Sequence, residues 1–319
     1  MSKAERLKVA VLMGGLSGER EVSLRSGRAV ASALKEAGHE ALPYDVTDLS
    51  LPGLLKHRPD VAFVALHGTF GEDGVVQQLL ENMGLPYTGS GPQASRLAMD
   101  EIASKRLFIR NAIPTADYLA VGPAAPPEAV AAHAEQFGYP LVCKPAASGS
   151  SLGISIVGRP AELAAALALA RRESESILVE RYVRGREFTV GVLEGEALPM
   201  IELVVSREFF DYGAKYEDER TRYITPVCLL PTLYRKACDA AVRAYRALRC
   251  RHMARVDMLY GYDGNLYVLE ANTIPGLTLR SLLPMAAAEA GISFAQLCDR
   301  LVRAALHEAA GGRRRRLTA

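Results

Sequence analysis

A short segment near the C-terminal end of the chain carries four side chains that could act together on a phosphate or a metal ion. Arg255 and Asp257 are separated by one residue, as are Glu270 and Asn272. Because successive side chains of a strand point to opposite faces, each pair would share one face of a strand. Carboxylate and amide oxygens suit a divalent cation, and arginine suits a phosphate or a developing oxyanion.

A β-hairpin is predicted to bring the two pairs together. Residues 254–260 and 266–271 have the composition of strands, and Asp263-Gly264 between them is a strong signal for a two-residue hairpin loop. If these two residues form the loop, Tyr262 faces Asn265, and pairing continues along both strands from there. The loop length decides which face each side chain occupies, so a change of one residue would separate the pairs.

This register places Asp257 opposite Glu270 and Arg255 opposite Asn272. Two carboxylates that face each other have Cβ atoms roughly 4.5–5.5 Å apart and repel. A divalent cation would relieve the repulsion, so we predict that Asp257, Glu270 and Asn272 bind a metal ion, with Arg255 beside it. A solvent-facing hairpin with scattered charges is the alternative interpretation.

The size and charge of the chain favour an enzyme of two or three domains. Its 319 residues, 49% hydrophobic and 23% charged, are ordinary for a soluble globular protein. The formal net charge of +2 indicates neither a nucleic acid nor a membrane as a partner. Residues 313–316 are all arginine, and removing them from the 38 basic residues leaves 34 against 36 acidic ones. We interpret this run as a solvated tail, with an electrostatic anchor as the alternative.

The five cysteines favour a reducing compartment. Their number is odd and no two are spaced as C-x-x-C, which argues against a disulfide framework or a zinc site. The apolar run that ends at Gly14 is too short for a signal peptide, and no apolar run approaches the ~18–20 residues of a transmembrane helix. A cytoplasmic location is therefore expected.

The first part of the chain has the pattern of an open parallel sheet. Strands are predicted at residues 8–13, 41–46 and 61–66, with a helix after the first that ends at Gly38. The glycines between them do not match G-x-G-x-x-G, so a nicotinamide cofactor is not supported. Outside this region, single long helices are predicted over residues 95–111 and 286–309.

Two loops of this sheet are candidate substrate sites. Residues 14–19 and 67–74 follow strands at their carboxyl ends, where ligands of open parallel sheets bind. Glu19 could hold a substrate ammonium, or it could simply favour the start of the helix. His67 could contact the substrate, or it could bond to nearby backbone.

A glycine- and serine-rich loop at residues 145–153 is a candidate phosphate site. Lys144, at the end of a predicted strand over residues 141–144, lies at its mouth. Backbone N–H groups, hydroxyls and a cation favour an anion, with a flexible connecting loop as the alternative. The lysine precedes the glycines, so this is not a Walker A loop. Further along, the polar and aromatic residues 203–226 are predicted to form a lid.

Taken in order, several segments resemble the D-alanine–D-alanine ligases of the ATP-grasp superfamily. The resemblance extends over nearly the whole chain and is carried by GGLSGEREVSLRSG, ALHGTFGEDG, LPYTGSGP, KPAASGSSLG, VRGREFTV, DYGAKY, RVDMLY and LEANTIPGLTLRS. It implies an α/β fold with an N-terminal open parallel-sheet domain at residues 1–95. Two mixed α/β ATP-grasp lobes at residues 96–185 and 186–319 would follow and clamp ATP, with a lid at about residues 205–225.

The resemblance also implies a reaction. ATP would phosphorylate the carboxylate of one D-alanine, and the amine of a second D-alanine would displace phosphate to give a peptidoglycan precursor. Mg²⁺ would be the metal, as two ions that Mn²⁺ could replace, and the enzyme would be a homodimer. A related ligase with a D-serine or D-lactate acceptor, or a non-catalytic nucleotide-binding protein, are the alternatives.

The resemblance assigns roles to individual residues. The residues that it implies for the first D-alanine are Glu19, Ser150 and Tyr216, with His67 and Lys215 near them. Ser281 would receive the carboxylate of the second, and Arg255 with the backbone N–H of Gly276 would form the oxyanion hole. The nucleotide would be bound by Lys144, Ser151, Glu180, Arg181, Val183, Glu187 and Lys215, and the metal by Asp257, Glu270 and Asn272.

Two positions, Tyr216 and Glu101, concern the choice of acceptor and a departure from the family's usual residue. Relatives that make the D-alanyl–D-lactate ester resemble this family but carry Phe where this chain has Tyr216, so Tyr216 favours an amine acceptor. Glu101 stands where the family usually has a lysine that contacts ATP. It could form a surface pair with Lys105 one helical turn on, or Lys105 could take over the phosphate contact.

Overall fold

The structure of the chain is a computed structural model that describes residues 5–147, 153–204 and 221–317, with side chains described up to residue 311. Within these ranges the strands form three sheets, one parallel and two antiparallel, and the helices pack against them. The α/β fold class expected from the sequence is confirmed.

The parallel sheet comes first in the chain. It consists of β1 (Lys8–Gly14), β2 (Glu40–Val46) and β3 (Val61–Val64) in the order β2-β1-β3, with α1 (Arg20–Glu36) after β1 and α2 (Val75–Asn82) after β3. Val9 and Phe63 are fully buried in it. As predicted, both candidate substrate loops follow the carboxyl ends of parallel strands.

The second sheet is antiparallel and carries the candidate phosphate lysine. Its elements are β4 (Tyr118–Val121), α5 (Pro127–Ala134), β5 (Leu141–Pro145), β6 (Ser155–Val157), α6 (Leu163–Ala170) and β7 (Ile177–Arg181), with the strand order β4-β7-β5-β6. Lys144 pairs with Leu178, two residues from Glu180. Lys144 and Glu180 therefore share one face of this sheet. The sequence analysis did not predict β4, which is only four residues long and has no period-2 alternation of apolar and polar residues.

The third sheet holds the predicted hairpin. Its strands are β8 (Gly185–Leu193), β9 (Glu196–Ala197), β10 (Ile201–Val204), β11 (Arg222–Ile224), β12 (Met253–Gly261) and β13 (Leu266–Asn272). They follow the path β11-β10-β8-β12-β13, and β9 pairs with β8. On one face Val190, Val256 and Met258 are fully buried in the same core cluster as the buried alanines of α7 (Pro231–Ala247). The alternate positions of β8 and β12 carry the polar side chains of the other face.

Two helices that were predicted as continuous are each divided in two. Residues 92–110 form α3 (Pro92–Met99) and α4 (Glu101–Arg110), and the C-terminal region forms α8 (Leu282–Glu289) and α9 (Phe294–Leu317). Asp100 breaks the first because its backbone is extended, and Gly291 lies between the other two with a φ of +78°. The single-helix predictions were wrong. No helix among the described residues, α9 included, has the length and apolarity to cross a membrane.

Candidate active site

The β12–β13 hairpin brings the predicted side chains together. Asp257 pairs with Glu270, and Arg255 pairs with Asn272, as the sequence predicted. Residues paired directly across two strands lie on one face, so all four side chains share a face of the third sheet. Asp257 and Arg255 are buried, at 6% and 8% exposure, while Glu270 and Asn272 are half-buried.

The loop of this hairpin differs from the prediction. Tyr260 pairs with Leu266, and the N–H of Gly261 donates to the carbonyl of Asn265 at 2.8 Å, so three residues form the loop rather than two. Gly264 closes it with a φ of +82°, as expected for a three-residue loop. This change alone would have placed the metal residues on opposite faces.

A β-bulge restores the predicted register. Met258 pairs with Val268 while Asp257 pairs with Glu270, which leaves Leu269 as an extra residue on β13. The bulge shifts the pairing by one residue, as the longer loop does, and the two shifts cancel. The prediction was therefore right about the four side chains and wrong about the turn that brings them together.

Asp257 is oriented by two neighbours. Arg255 donates to both carboxylate oxygens, from Nε to Oδ1 at 2.9 Å and from NH2 to Oδ2 at 2.7 Å, and Thr189 Oγ1 donates to Oδ1 at 2.6 Å. Thr189 lies directly opposite Asp257 on β8. We did not predict its role, although its place two residues after Glu187 on a strand puts both on the polar face.

The donor chemistry of the hairpin fits a magnesium ion. Asp257, Glu270 and Asn272 supply oxygen ligands from one face, and Asn272 Oδ1 is held by the N–H of Ile274 at 2.9 Å. Among the described residues there is no group of three or more His, Cys, Asp and Glu side chains that could hold a metal. Asn272 would add a third oxygen donor to the two carboxylates that face each other here.

Four buried charges lie where the sequence placed the nucleotide. Lys144 Nζ is 2.6 Å from Glu101 Oε2 and 3.0 Å from Glu180 Oε1. Glu180 Oε2 is 2.8 Å from Lys105 Nζ, which also donates to Thr115 Oγ1 at 2.9 Å. Carboxylates and ammoniums thus alternate in the order Glu101, Lys144, Glu180 and Lys105, which we call the charge ladder. Two negative and two positive groups balance, so burial of the set is compatible with its charges.

The ladder changes the pKa values of its members. Burial raises the pKa of Glu101 above its ordinary value, against the opposing effect of Lys144. Burial also acts to raise the pKa of Glu180, but Lys105 and Lys144 outweigh it and lower that pKa to about 2. Burial acts to lower the pKa of Lys144, but Glu101 and Glu180 outweigh it and raise that pKa. Lys144 is therefore charged at neutral pH.

The surface pair considered for Glu101 and Lys105 is wrong. Glu101 is 8% exposed and Lys105 is fully buried, and each pairs with a different partner on the second sheet. The prediction failed because it treated residues 95–111 as one helix with a solvent face. The break at Asp100 turns Glu101 inward instead. Lys105 is held by Glu180 and Thr115, and its contact with an ATP phosphate stays a prediction.

The segment between the second and third sheets is tied to the tip of the hairpin. Arg181 NH2 donates to the hydroxyl of Tyr267 at 2.6 Å, and that hydroxyl donates to Asp263 Oδ2 at 2.7 Å. Val183 is buried just beyond β7, and Glu187 lies on β8 two residues before Thr189. Three residues that the resemblance assigns to the nucleotide, Arg181, Val183 and Glu187, therefore adjoin the hairpin.

The two predicted substrate loops meet. Ser17 Oγ donates to the carbonyl of His67 at 2.7 Å, and a Cβ at Gly68 would lie 2.7 Å from Glu19 Oε2. Glu19 and His67 are both buried, at 7% and 4% exposure. Only glycine fits at position 68, because the Glu19 carboxylate occupies the space of a side chain and φ is +70°.

His67 joins these loops to the segment that follows the hairpin. Its Nε2 lies 3.0 Å from Ser26 Oγ, which accepts the N–H of Leu277 at 3.4 Å. Its Nδ1 is 3.4 Å from Glu72 Oε1, so side chains rather than backbone hold the ring. The sequence prediction missed Ser26, because nothing in the predicted helix distinguishes it from the neighbouring Ser23.

Gly276 and Ser281, to which the resemblance assigns different roles, lie close to each other. A Cβ at Gly276 would be 2.9 Å from Ser281 Oγ, which accepts the N–H of Thr278 at 3.1 Å. Ser281 directly precedes α8, but its side chain makes no capping hydrogen bond to that helix. The remaining predicted site residues, Ser150, Ser151, Lys215 and Tyr216, and most of the lid lie outside the described residues.

Comparison with known proteins gives consistent matches over the chain. Residues 50–90 match the family described as D-ala D-ala ligase N-terminus, and residues 107–303 match D-ala D-ala ligase C-terminus. A D-alanine–D-alanine ligase of Geobacter sulfurreducens is 48% identical over 92% of this chain and 93% of its own length. One from an Anaeromyxobacter species is 47% identical over 95% of this chain and 98% of its own.

Solved structures agree. The D-alanine–D-alanine ligase of Bacillus anthracis is 34% identical and superposes with a TM-score of 0.85 over 96% of this chain and 99% of that one. A structure of the Bacillus anthracis enzyme complexed with ATP is 32% identical and has a TM-score of 0.83, over the same shares of the two chains.

Proposed function

Because the chain belongs to the D-alanine–D-alanine ligase family, we propose that it joins two molecules of D-alanine with the consumption of ATP and releases ADP and phosphate. The observation that carries the proposal is the hairpin register, in which Asp257 faces Glu270 and Arg255 faces Asn272. That register supplies oxygen ligands for a metal beside an arginine, and phosphoryl transfer between anions requires charge neutralisation of this kind.

The proposed reaction has two steps. The γ-phosphoryl group of ATP passes to a carboxylate oxygen of the first D-alanine, with loss of ADP, and an acyl phosphate forms. The amine of the second D-alanine attacks the acyl carbon. The tetrahedral centre then collapses, the bond to phosphate breaks, and the amine loses a proton. Both steps place negative charge near Arg255, which is buried and always protonated, and near the N–H of Gly276.

The nucleotide would lie between the second and third sheets. Lys144 would contact its phosphates, since it is charged and precedes in sequence the serine-rich segment that includes Ser151. Arg181 and Val183 would line the adenine, and Glu187 would accept the ribose hydroxyls. Glu180 would act on the nucleotide through Lys144, because its carboxylate is held between two lysines.

Magnesium would be held by Asp257, Glu270 and Asn272, whose donor chemistry fits it. When bound, Mg²⁺ neutralises charge on the phosphates and so assists transfer. Arg255 and Thr189 hold the Asp257 carboxylate in place, so this ligand is oriented in advance. Two ions, and replacement by Mn²⁺, remain part of the proposal.

The substrates would bind where the loops after β1 and β3 meet the segment around Gly276. Glu19 would hold the ammonium of the first D-alanine, with His67 beside it, and Ser281 would receive the carboxylate of the second. Ser150 and Tyr216 would complete the first subsite, and Lys215 with Tyr216 would close the lid and exclude water from the acyl phosphate.

The cellular role follows from the product. D-alanyl-D-alanine would serve peptidoglycan synthesis in the cytoplasm, and the enzyme would act as a homodimer of three-domain chains with boundaries near residues 95 and 185. These points rest on family membership.

The direct test mixes the protein with Mg-ATP and D-alanine and measures ADP and dipeptide. We expect both in equal amounts. Repeating the assay with D-serine or D-lactate as the second substrate reveals a different acceptor. If no acceptor causes ADP release, the proposed activity is wrong.

A further inference from the structure

Glu101 begins α4 with its side chain inside the protein. Asp100 before it is extended, with φ of −89° and ψ of 99°, and its side chain accepts the N–H of Ala103 at 3.0 Å. The N–H of Glu101 itself donates to the carbonyl of Ala146 at 2.8 Å. These two bonds fix position 101 against the end of β5, where Lys144 lies.

The carboxylate of Glu101 forms an ion pair with Lys144. Glu101 Oε2 is 2.6 Å from Lys144 Nζ, whereas the other partner of Lys144, Glu180, also serves Lys105. An ammonium has three N–H donors in fixed directions around nitrogen. With two of them aimed at Glu101 and Glu180, the third has a defined direction.

We propose that Glu101 is a positioning residue that holds the Lys144 ammonium in place for the nucleotide phosphates. The proposal rests on the proposed function, in which Lys144 contacts ATP. In this chain a carboxylate at position 101 thus acts on the nucleotide through Lys144. It does so at the position where the resemblance led us to expect a lysine that contacts phosphate directly.

The same carboxylate also has an effect that would weaken ATP binding, opposite to the effect of positioning Lys144. A negative charge near a polyphosphate repels it, so by Coulomb's law alone the loss of Glu101 would strengthen ATP binding. In the charge ladder, however, the two carboxylates are balanced by two ammoniums at 2.6–3.0 Å. Removing Glu101 would leave Lys105 and Lys144 to share one carboxylate, and the orientation of Lys144 would be lost. We therefore expect the positioning effect to be larger.

The sign of one measurement separates the two effects. Glu101→Gln keeps the shape of the side chain and removes its charge. We expect the Kd for ATP, measured by titration calorimetry, to rise about tenfold, as for the loss of a hydrogen bond to a charged group. The inhibition constant of adenosine, which lacks phosphates, should stay within about twofold because no contact to the base changes.

A double-mutant cycle identifies Lys144 as the intermediary. In a Lys144→Met background, Glu101→Gln should no longer change the Kd for ATP, because the group that it positions is absent. A merely structural role for Glu101 would leave its effect intact in that background. Glu162→Gln is the matched control, since Glu162 belongs to the same region but pairs with the exposed Arg159.

Three results would overturn the inference. They are an unchanged or lower Kd for ATP in Glu101→Gln, an equal loss of adenosine binding, or an effect that persists without Lys144. If Glu101→Gln does not fold, Glu101→Asp serves instead, because its carboxylate is withdrawn by one methylene. This variant must bind ATP more weakly than wild type and bind adenosine equally well. Wild-type protein that neither binds ATP nor forms dipeptide would instead contradict the proposed function, so the two failures are distinguishable.

Discussion

At Asp257, neighbouring side chains orient a carboxylate that the backbone alone would leave free to rotate. Arg255 occupies both of its oxygens, and the hydroxyl of Thr189 reaches one of them at 2.6 Å from the adjacent strand. Partners of this kind tune a metal ligand without touching the metal. Single residues next to the predicted ligands should therefore affect the proposed reaction.

Thr189→Val tests this at the scale of one hydroxyl. Valine keeps the shape and removes the donor, so Asp257 loses one orienting bond while Arg255 remains. We expect kcat/KM to fall about tenfold and the Mg²⁺ concentration for half-maximal rate to rise. ADP release measured against Mg²⁺ concentration gives both. Thr47→Val, on an exposed loop residue after β2, is the control and should behave as wild type.

Tyr216→Phe tests the choice of acceptor. The resemblance implies that ester-forming relatives carry Phe at this position, so we expect the variant to use D-lactate more efficiently than wild type. Product analysis with D-alanine and D-lactate together gives the ratio of depsipeptide to dipeptide. Unchanged use of D-lactate would count against a role for Tyr216 in this choice.

The boundary between α3 and α4 matters at the scale of elements. Asp100 ends one helix and caps the next, and that change of direction places Glu101 among buried charges rather than on a solvent face. The β12–β13 hairpin is a similar case, since a three-residue loop and a bulge together produce the register that pairs Asp257 with Glu270. In both, a local irregularity of backbone sets where the site's side chains lie.

Asp100→Ala should weaken both the start of α4 and the nucleotide site. Loss of an N-cap costs about 0.5–2 kcal/mol of unfolding free energy, which urea denaturation would measure. Because the cap also directs Glu101, the Kd for ATP should rise as well. Asp239→Ala, which removes an exposed aspartate from α7, is the control. A loss of stability without any change in ATP binding would show that the helix start does not position Glu101.

At the scale of the whole molecule, one junction joins the N-terminal region to the third sheet and α9. His252 Nδ1 accepts the N–H of Gly89 at 3.1 Å, and its Nε2 is 3.0 Å from Glu308 Oε2. Arg251 is 2.7 Å from Glu308 Oε1 and lies over the ring of Tyr87, 5.2 Å from its centroid. The junction therefore links residues 87–89 of the N-terminal region to α9 through the two residues that precede β12.

Glu308 gives this junction a pH dependence. The hydrogen bond from His252, together with Arg251, lowers the pKa of Glu308 from its ordinary 4.5 to about 2. A carboxylate whose pKa is lower in the folded state contributes stability above its unfolded pKa, and loses it as pH falls toward the folded one. The stability that Glu308 contributes should therefore be full above pH 4.5 and lost by about pH 2.

Glu308→Gln tests this. The variant should be less stable than wild type at pH 6, and the difference between their unfolding free energies should shrink as the pH falls from 4.5 to 2. Denaturant titrations at several pH values measure it. Glu289→Gln, an exposed carboxylate at the end of α8, should show no such trend. A difference that is constant with pH would contradict the assignment.

Local pattern was enough to identify the parallel sheet and the polar face of the hairpin. Strands β1 and β2 were predicted to within a residue. For β1 the signal is a buried apolar run that ends at Gly14, whereas only Ala41 and Val46 of β2 are buried. The pairing of Asp257 with Glu270 was also predicted, although through a loop one residue too short. The bulge at Leu269 could not be foreseen, since its apolar side chain breaks no visible alternation.

By itself the sequence determined which residue types could do chemistry and the family that they resemble. Only the tertiary structure decided the partners of Glu101, Lys144, Glu180 and Lys105. Glu101 and Lys105 lie on α4, whereas Lys144 lies on β5 and Glu180 on β7. Their pairing depends on how α4 packs against the second sheet. Sequence spacing reports neighbours within one element, whereas burial between elements decides which charges meet and how strongly they interact.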